Sequence, residues 1–245
     1  MHGMSVRGFR TQVAALAAAL LLPAWSAPAQ GSEAGILADR LLVAECGDCL
    51  VIDPERRQGL AAEIDRVLAR VRELRPDLTD IRARAAFDPG ALLIEAEPGL
   101  LDALVQAPRG RAGHAAFDTL GDRLGLKSVR VFSFADTALL RFAAPVNIAA
   151  VARAYREVEG VKSAEPDTVL SDGPDIAAAR HGAVWHVVID RAWGDCPSGC
   201  LHRETSFFAV GGDGVSEIEA RRALKMPGFE EALLSVGYGR FAQPR

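Results

Sequence analysis

Apolar residues in the middle of this chain switch repeatedly between a period of two and a period of three to four, and the order of the switches leaves few folds open. Residues 81–87 and 91–96 alternate as strands do, with Asp88-Pro89-Gly90 between them as a turn. Residues 98–105 read as a short helix. The Pro- and Gly-containing stretch 107–113 reads as a loop, and 114–124 as a helix with Phe117, Leu120 and Leu124 on one side. Strands follow at 127–133 and 137–142. Asn147 caps another helix, with Ile148, Val151, Ala152, Tyr155 and Val158 as its stripe and Gly160 as its stop. Residues 162–170 form a last extended segment. From 91 to 170 the order is strand, helix, strand, strand, helix, strand. This is the split βαβ order of the ferredoxin-like α+β folds. It places the helices on one face of a four-stranded sheet and leaves the other face free for a partner.

The start of the chain constrains where this domain works. Arg7 and Arg10 precede an apolar run at 13–22. Pro23 breaks the run, and Ala27-Pro28-Ala29 supplies small residues for cleavage. Basic, apolar and small-residue regions in that order predict a secretory signal peptide over residues 1–29, cut after Ala29. The apolar run is too short for a membrane anchor, which needs ~20 residues to cross ~30 Å of hydrocarbon. No cysteine lies near the cut to take a lipid, and no later run approaches membrane length. The expectation is a soluble exported protein, periplasmic or secreted, with no membrane span once the signal is removed.

Export also decides how the four cysteines are read. Cys46, Cys49, Cys196 and Cys200 would all meet an oxidising compartment, where pairs close. Four cysteines allow three connectivities, and two local pairs are the simplest. Cys46-Gly47-Asp48-Cys49 lies in an N-terminal arm, residues 30–80. The arm holds a short apolar stretch at 36–43 and an amphipathic helix that starts with Asp53 as cap and Pro54 at the first position. The helix stripe is Leu60, Ile64, Val67, Leu68, Val71 and Leu74, and Arg75-Pro76 ends it. After the ferredoxin-like region of 81–170, residues 171–182 read as a polar linker. Residues 183–245 read as a hairpin, with strands at 183–189 and 202–210, and a tail of short helical or irregular pieces. Cys196 and Cys200 close a small ring at the hairpin tip, with Trp193 and Asp195 at its base as candidate contact residues.

Several chemistries fit poorly. The net charge is −4, with no basic stripe and few aromatics, so nucleic acid is not an expected partner. His186, His202 and Asp190 flank the cysteine ring, yet their spacing matches no standard zinc arrangement. His114, alone at a helix start, reads as a cap or a surface residue. No serine sits in a nucleophile-elbow sequence, and Glu95 and Glu97 read as one solvated strand face. No catalytic residue, metal or cofactor is assigned. A redox motif wants its first cysteine at a helix N-terminus, and here the recognised helix begins only at Pro54.

The segment from Val151 to Asp167 reads Val-Ala-Arg-Ala-Tyr-Arg-Glu-Val-Glu-Gly-Val-Lys-Ser-Ala-Glu-Pro-Asp, and Leu124-Gly125-Leu126 precedes a strand. On these residues the region from 91 to 170 resembles the N-terminal propeptide of subtilisin-like serine proteases and the related propeptide-like protease inhibitors. The block at 193–200 resembles a piece of uncharacterised exported bacterial proteins. No Asp-Thr-Gly, His-Gly-Thr-His or Gly-Thr-Ser motif of a protease follows. The resemblance implies the ferredoxin-like fold. It also implies an exported serine protease as partner, with inhibition or folding assistance as the activity and Glu165, Pro166 and Asp167 as contact residues. The expected function is an exported, non-enzymatic binding module for such a protease or another envelope protein. The alternatives are a periplasmic thiol–disulfide redox protein working through Cys46 and Cys49, and a structural envelope protein.

Overall fold

A computed structural model describes residues 32–85, 87–107, 111–132, 134–168, 173–196 and 199–235. The signal-peptide reading of 1–29 lies outside the described residues, as do 169–172 of the expected last strand and linker. The described chain is mixed α+β and carries two antiparallel four-stranded sheets.

Two helices come first. Ser32 caps α1 (Glu33–Cys46), its hydroxyl accepting from the Gly35 N–H at 3.1 Å. Asp53 caps α2 (Pro54–Leu74), accepting from the Glu55 N–H at 2.9 Å, with Pro54 in the first turn as the sequence suggests. Helix α1 covers a segment read only as a short apolar stretch. Leu37 and Ala38 pack on the α2 side, whereas Leu41 also meets the apolar cluster on the opposite side. A helix buried on two faces shows no clean stripe.

The first sheet holds β1 (Phe87–Ala96), β2 (Leu126–Phe132), β3 (Thr137–Phe142) and β4 (Val161–Thr168) in the order β2-β3-β1-β4. Helices α3 (Pro98–Gln106), α4 (Ala115–Leu124) and α5 (Ile148–Arg156) cover one face. Leu92, Ile94, Ala96, Ala138, Leu140, Phe142 and Ala164 meet Leu101, Leu104, Phe117, Val151 and Tyr155 there. Strand β3 and the second half of β1 show the two-residue alternation expected when only one face is covered.

Two local expectations are corrected at its start. Asp88-Pro89-Gly90 does not separate two strands. It lies within β1 as an irregularity in the pairing with β4, between Phe87 and Leu92. The turn chemistry survives locally, with Asp88 Oδ1 accepting from the Gly90 N–H at 2.9 Å. Proline is tolerated in a strand at such a bulge. Residues 81–85 form no strand; Ile81 and Ala83 instead plug into the cluster beneath α1 and α2.

The second sheet is a meander of β5 (Asp175–His181), β6 (Val184–Trp193), β7 (His202–Gly211) and β8 (Gly214–Ile218). Strand β5 replaces most of the expected linker. Its run Asp-Ile-Ala-Ala-Ala is Ala-rich, a composition depleted in strands, so it does not advertise itself. Helices on both faces explain the small side chains. Ala178, with Ile176, Trp185, Val187, Ile189, Phe208 and Val210, packs against α1 and α2. Ala177 and Ala179, with Val188 and Phe207, pack against α6 (Ala220–Ala223) and α7 (Pro227–Ser235). The arm and the C-terminal hairpin therefore share one core.

Charged clamps hold this second layer. The Arg40 guanidinium sits 2.9 Å from the Asp175 carboxylate and donates to the Ile176 carbonyl at 2.7 Å and to the Arg84 carbonyl. Asp175, 4% exposed, also accepts from the backbone N–H groups of Arg84 and Ile176, both at 2.8 Å. Arg57 grips Asp39 through two contacts of 2.5 and 2.9 Å, joining α2 to α1. Removing one partner of a buried pair leaves the other charge desolvated. Asp175→Asn is therefore expected to cost about 3–5 kcal/mol. Urea unfolding followed by circular dichroism checks this, and an unchanged midpoint would contradict the clamp.

Candidate functional site

The open face of the first sheet is the most extended surface of candidate function. No described element covers it. The register places Arg130, Leu139, Leu93 and Glu165 in one row across β2, β3, β1 and β4. Beside it runs a second row of Phe132, Thr137, Glu95 and Ser163. Leu93 is 37% exposed although it is central in the sheet. The row is thus apolar in the middle, basic at one edge and acidic at the other. At the basic edge Arg130 lies over the Phe132 ring, 5.0 Å from its centroid. Phe134, 90% exposed, meets Phe132 edge-on at 6.1 Å.

Of the residues singled out from sequence, Glu165 belongs to this row and is exposed. Pro166 and Asp167 follow it on β4 and are half-buried, with Pro166 opposite Leu92. Arg130, Leu139 and Leu93 escaped sequence reading. Leu93 sits in an unbroken apolar run, Ala91–Ile94, so it reads as core until the register is known.

Cys46 and Cys49 form one disulfide, with Cα atoms 5.6 Å apart. Cys46 is the last residue of α1, so it lies at the negative end of its own helix, opposite to the placement that lowers a thiol pKa. The loop after it is docked onto the start of α5. Asn147 is fully buried. Its Nδ2 donates to the Gly47 carbonyl at 2.9 Å and lies 3.4 Å from Cys46 Sγ, while its Oδ1 accepts from the Ala150 N–H at 3.2 Å. Arg153 adds a 2.7 Å contact to Asp48. The cap read from sequence is present, and the same side chain fastens the disulfide loop.

The second pair, Cys196 and Cys200, closes the ring at the tip between β6 and β7. Trp193 and His202 are cross-strand partners whose rings stack at 5.4 Å. Trp193 is 46% exposed, Leu201 is 72% exposed and Asp195 is exposed. Gly194 adopts φ +97°, and a Cβ there would come within 2.9 Å of the Leu201 Cβ. Below the tip, fully buried Asp190 receives Arg203 and, at 3.0 Å, the Thr205 hydroxyl. Gly194→Ala should lower the melting temperature by a few degrees, about 1–2 kcal/mol for an L-residue forced into that backbone region. Differential scanning calorimetry under non-reducing conditions provides the comparison.

The three residues weighed for zinc are engaged separately. Asp190 is held by Arg203 and Thr205, His202 stacks on Trp193, and His186 lies buried under α7. No group of three or more potential ligands among the described residues is placed to hold a metal ion. His114 caps α4, accepting from the Phe117 N–H at 3.4 Å. With Glu97, Glu159 and the glycines 99, 113 and 160 it lines an open cleft of about 380 Å³.

Burial and ion pairing set the unusual titrations. Tyr155, packed edge-on against Phe117 at 5.3 Å, is pushed above the ordinary phenol range by desolvation, then by Asp118. Exposed Asp77 is held down at about 2, chiefly by its hydrogen bond from Arg75. His186 is held below 6.5 by desolvation, then by nearby His181, with Glu231 and a Val184 backbone contact opposing. Its ring meets Phe229 edge-on at 4.7 Å, and a Cβ at Gly228 would collide with it. A depressed folded pKa means stability is complete above the unfolded value near 6.5 and is lost as pH falls toward the folded value. The urea midpoint should therefore drop between pH 7.5 and pH 5.5. In His186→Asn, which has no titratable ring, the drop should be smaller.

Compared with protein families, curated proteins and solved structures, the chain has no significant match. Among the described residues no helix is long and apolar enough to cross a membrane.

Proposed function

We propose that this chain is an exported, non-enzymatic binding module whose first sheet is a ferredoxin-like layer that presents its open face to a partner. The strand order β2-β3-β1-β4, with every described helix of that layer on one face, supports the ferredoxin-like reading. Two closed cysteine pairs suit an oxidising compartment and support export. The observation that carries the reading is the uncovered row Arg130–Leu139–Leu93–Glu165, with Phe132 and Phe134 at its basic end. Apolar anchors ringed by charge are what a protein interface uses, because the centre supplies desolvation and the rim sets orientation. An exported serine protease is the partner class, on the resemblance of residues 151–167 to subtilisin-type propeptides. The module would act as its inhibitor or folding aid. The tip around Trp193 and Asp195 is a second, smaller contact.

The test uses chain from Gln30 onward, tagged at the C-terminus, to capture proteins from the host envelope and medium, with a subtilisin inhibition assay in parallel. Capture of an exported serine protease, or inhibition, is the expected result. The double variant Leu93→Lys with Leu139→Lys should weaken either at least tenfold while leaving the circular dichroism spectrum unchanged. Equal capture and inhibition by the variant would sink the role of this face.

A further inference from the structure

Helix α2 and the turns at one end of the second sheet enclose a cleft of about 360 Å³. Glu63, Arg66, Val67 and Arg70 line it from one face of α2; Ala183, Trp185, Val210, Gly211 and Gly212 line it from the hairpins. Its charges are unbalanced. Glu63 is the only acid in the wall, and it is already engaged: its Oε1 accepts from Trp185 Nε1 at 2.8 Å and lies 3.5 Å from Arg180. Arg70 spends one N–H on the Gly211 carbonyl at 3.0 Å. Arg66 is exposed, and neither it nor Arg70 meets a carboxylate among the described residues. Elsewhere Arg40, Arg57, Arg72, Arg75 and Arg203 rest on acids, whereas Arg82 is spent on backbone carbonyls and Arg130 on the Phe132 ring. Arg66 and Arg70 differ from these in facing a cleft, in a chain with net charge −4. Two guanidiniums four residues apart on a helix repel each other unless an anion lies between them.

We propose that this cleft binds a small ligand through a carboxylate, with an apolar body lying against Val67, Val210 and the Trp185 indole. A guanidinium fork donates two parallel N–H bonds to the two oxygens of a carboxylate. Glu63 in the same wall disfavours a doubly charged group, so a carboxylate fits better than a phosphate. Trp185 is 4% exposed and pinned by Glu63, and the two turns add backbone rather than bulky side chains, so the cleft is formed before a ligand arrives. This site belongs to the second sheet and is independent of the open face of the first.

Chain from Gln30 onward, labelled with ¹⁵N, tests it. Benzoate, benzyl phosphate and benzyl alcohol are titrated to about 10 mM, well above a millimolar Kd. Benzoate should shift the Trp185 indole and Gly211–Gly212 amide signals saturably, and benzyl alcohol should not. Arg66→Gln, on an exposed side chain, should keep the melting temperature and weaken benzoate at least tenfold. A tripeptide Gly-Gly-Phe with a free end, set against its amide, separates a chain terminus from a free carboxylate as the source. Absence of any shift, an Arg66→Gln titration identical to the parent, or tighter binding of benzyl phosphate than benzoate would overturn the proposal.

Discussion

Arg40 and Asp175 are 135 residues apart, and their buried contact decides how the two halves of the chain meet. Arg40 projects from α1, Asp175 opens β5, and the Arg84 backbone closes the group from the segment leading into β1. A charge buried this deeply is tolerated only when paired and hydrogen-bonded, so it fixes three segments at once. The hydrophobic contacts around it are less selective. Alanines and leucines of α1 could slide along the sheet, but a guanidinium shared among a carboxylate and two carbonyls has one register. Once β5 is fixed, β6, β7 and β8 follow as successive hairpins, and the second sheet closes against α2.

The two sheets then differ in what they leave exposed. The second is covered by helices on both faces and is a core element throughout, with its functional opportunity confined to its ends: the disulfide tip and the cleft beside α2. The first is covered on one face only. Its outward row combines leucines with opposite charges at the two edges, and exposed Phe134 lies at the hairpin between β2 and β3, against half-buried Phe132. This difference in coverage, rather than any catalytic constellation, gives the chain its candidate surface.

Much of the first layer, and helix α2 of the second, was legible because each of these elements carries a local signal. Asp53 before Pro54, Asn147 before the α5 stripe, and His114 before Phe117 all cap where capping chemistry indicates. The local pairing of the cysteines follows the same logic, since partners three and four residues apart reach each other without long-range help. Two of the misread segments share one physical cause. Helix α1 and strand β5 are buried on two sides, so neither shows the one-sided pattern by which sequence reveals an element. Residues 81–85 alternate like a strand yet find no neighbour to pair with, and their apolar residues fill the α1–α2 cluster instead. At Asp88-Pro89-Gly90 the local turn forms, but the flanking pairings continue past it and absorb it as a bulge.

By itself the sequence determined the caps, the helix stripes and the strand alternation of the first layer, and made local cysteine pairing the simplest of three connectivities, because each depends on residues a few positions apart. Only the tertiary structure decided which sheet the N-terminal helices cover and that β5 is a strand at all. It alone brought Arg130, Leu139, Leu93 and Glu165 into one row and set Arg66 and Arg70 against the hairpin turns. Those outcomes depend on register and on buried charge pairing between distant segments, and no local pattern encodes either.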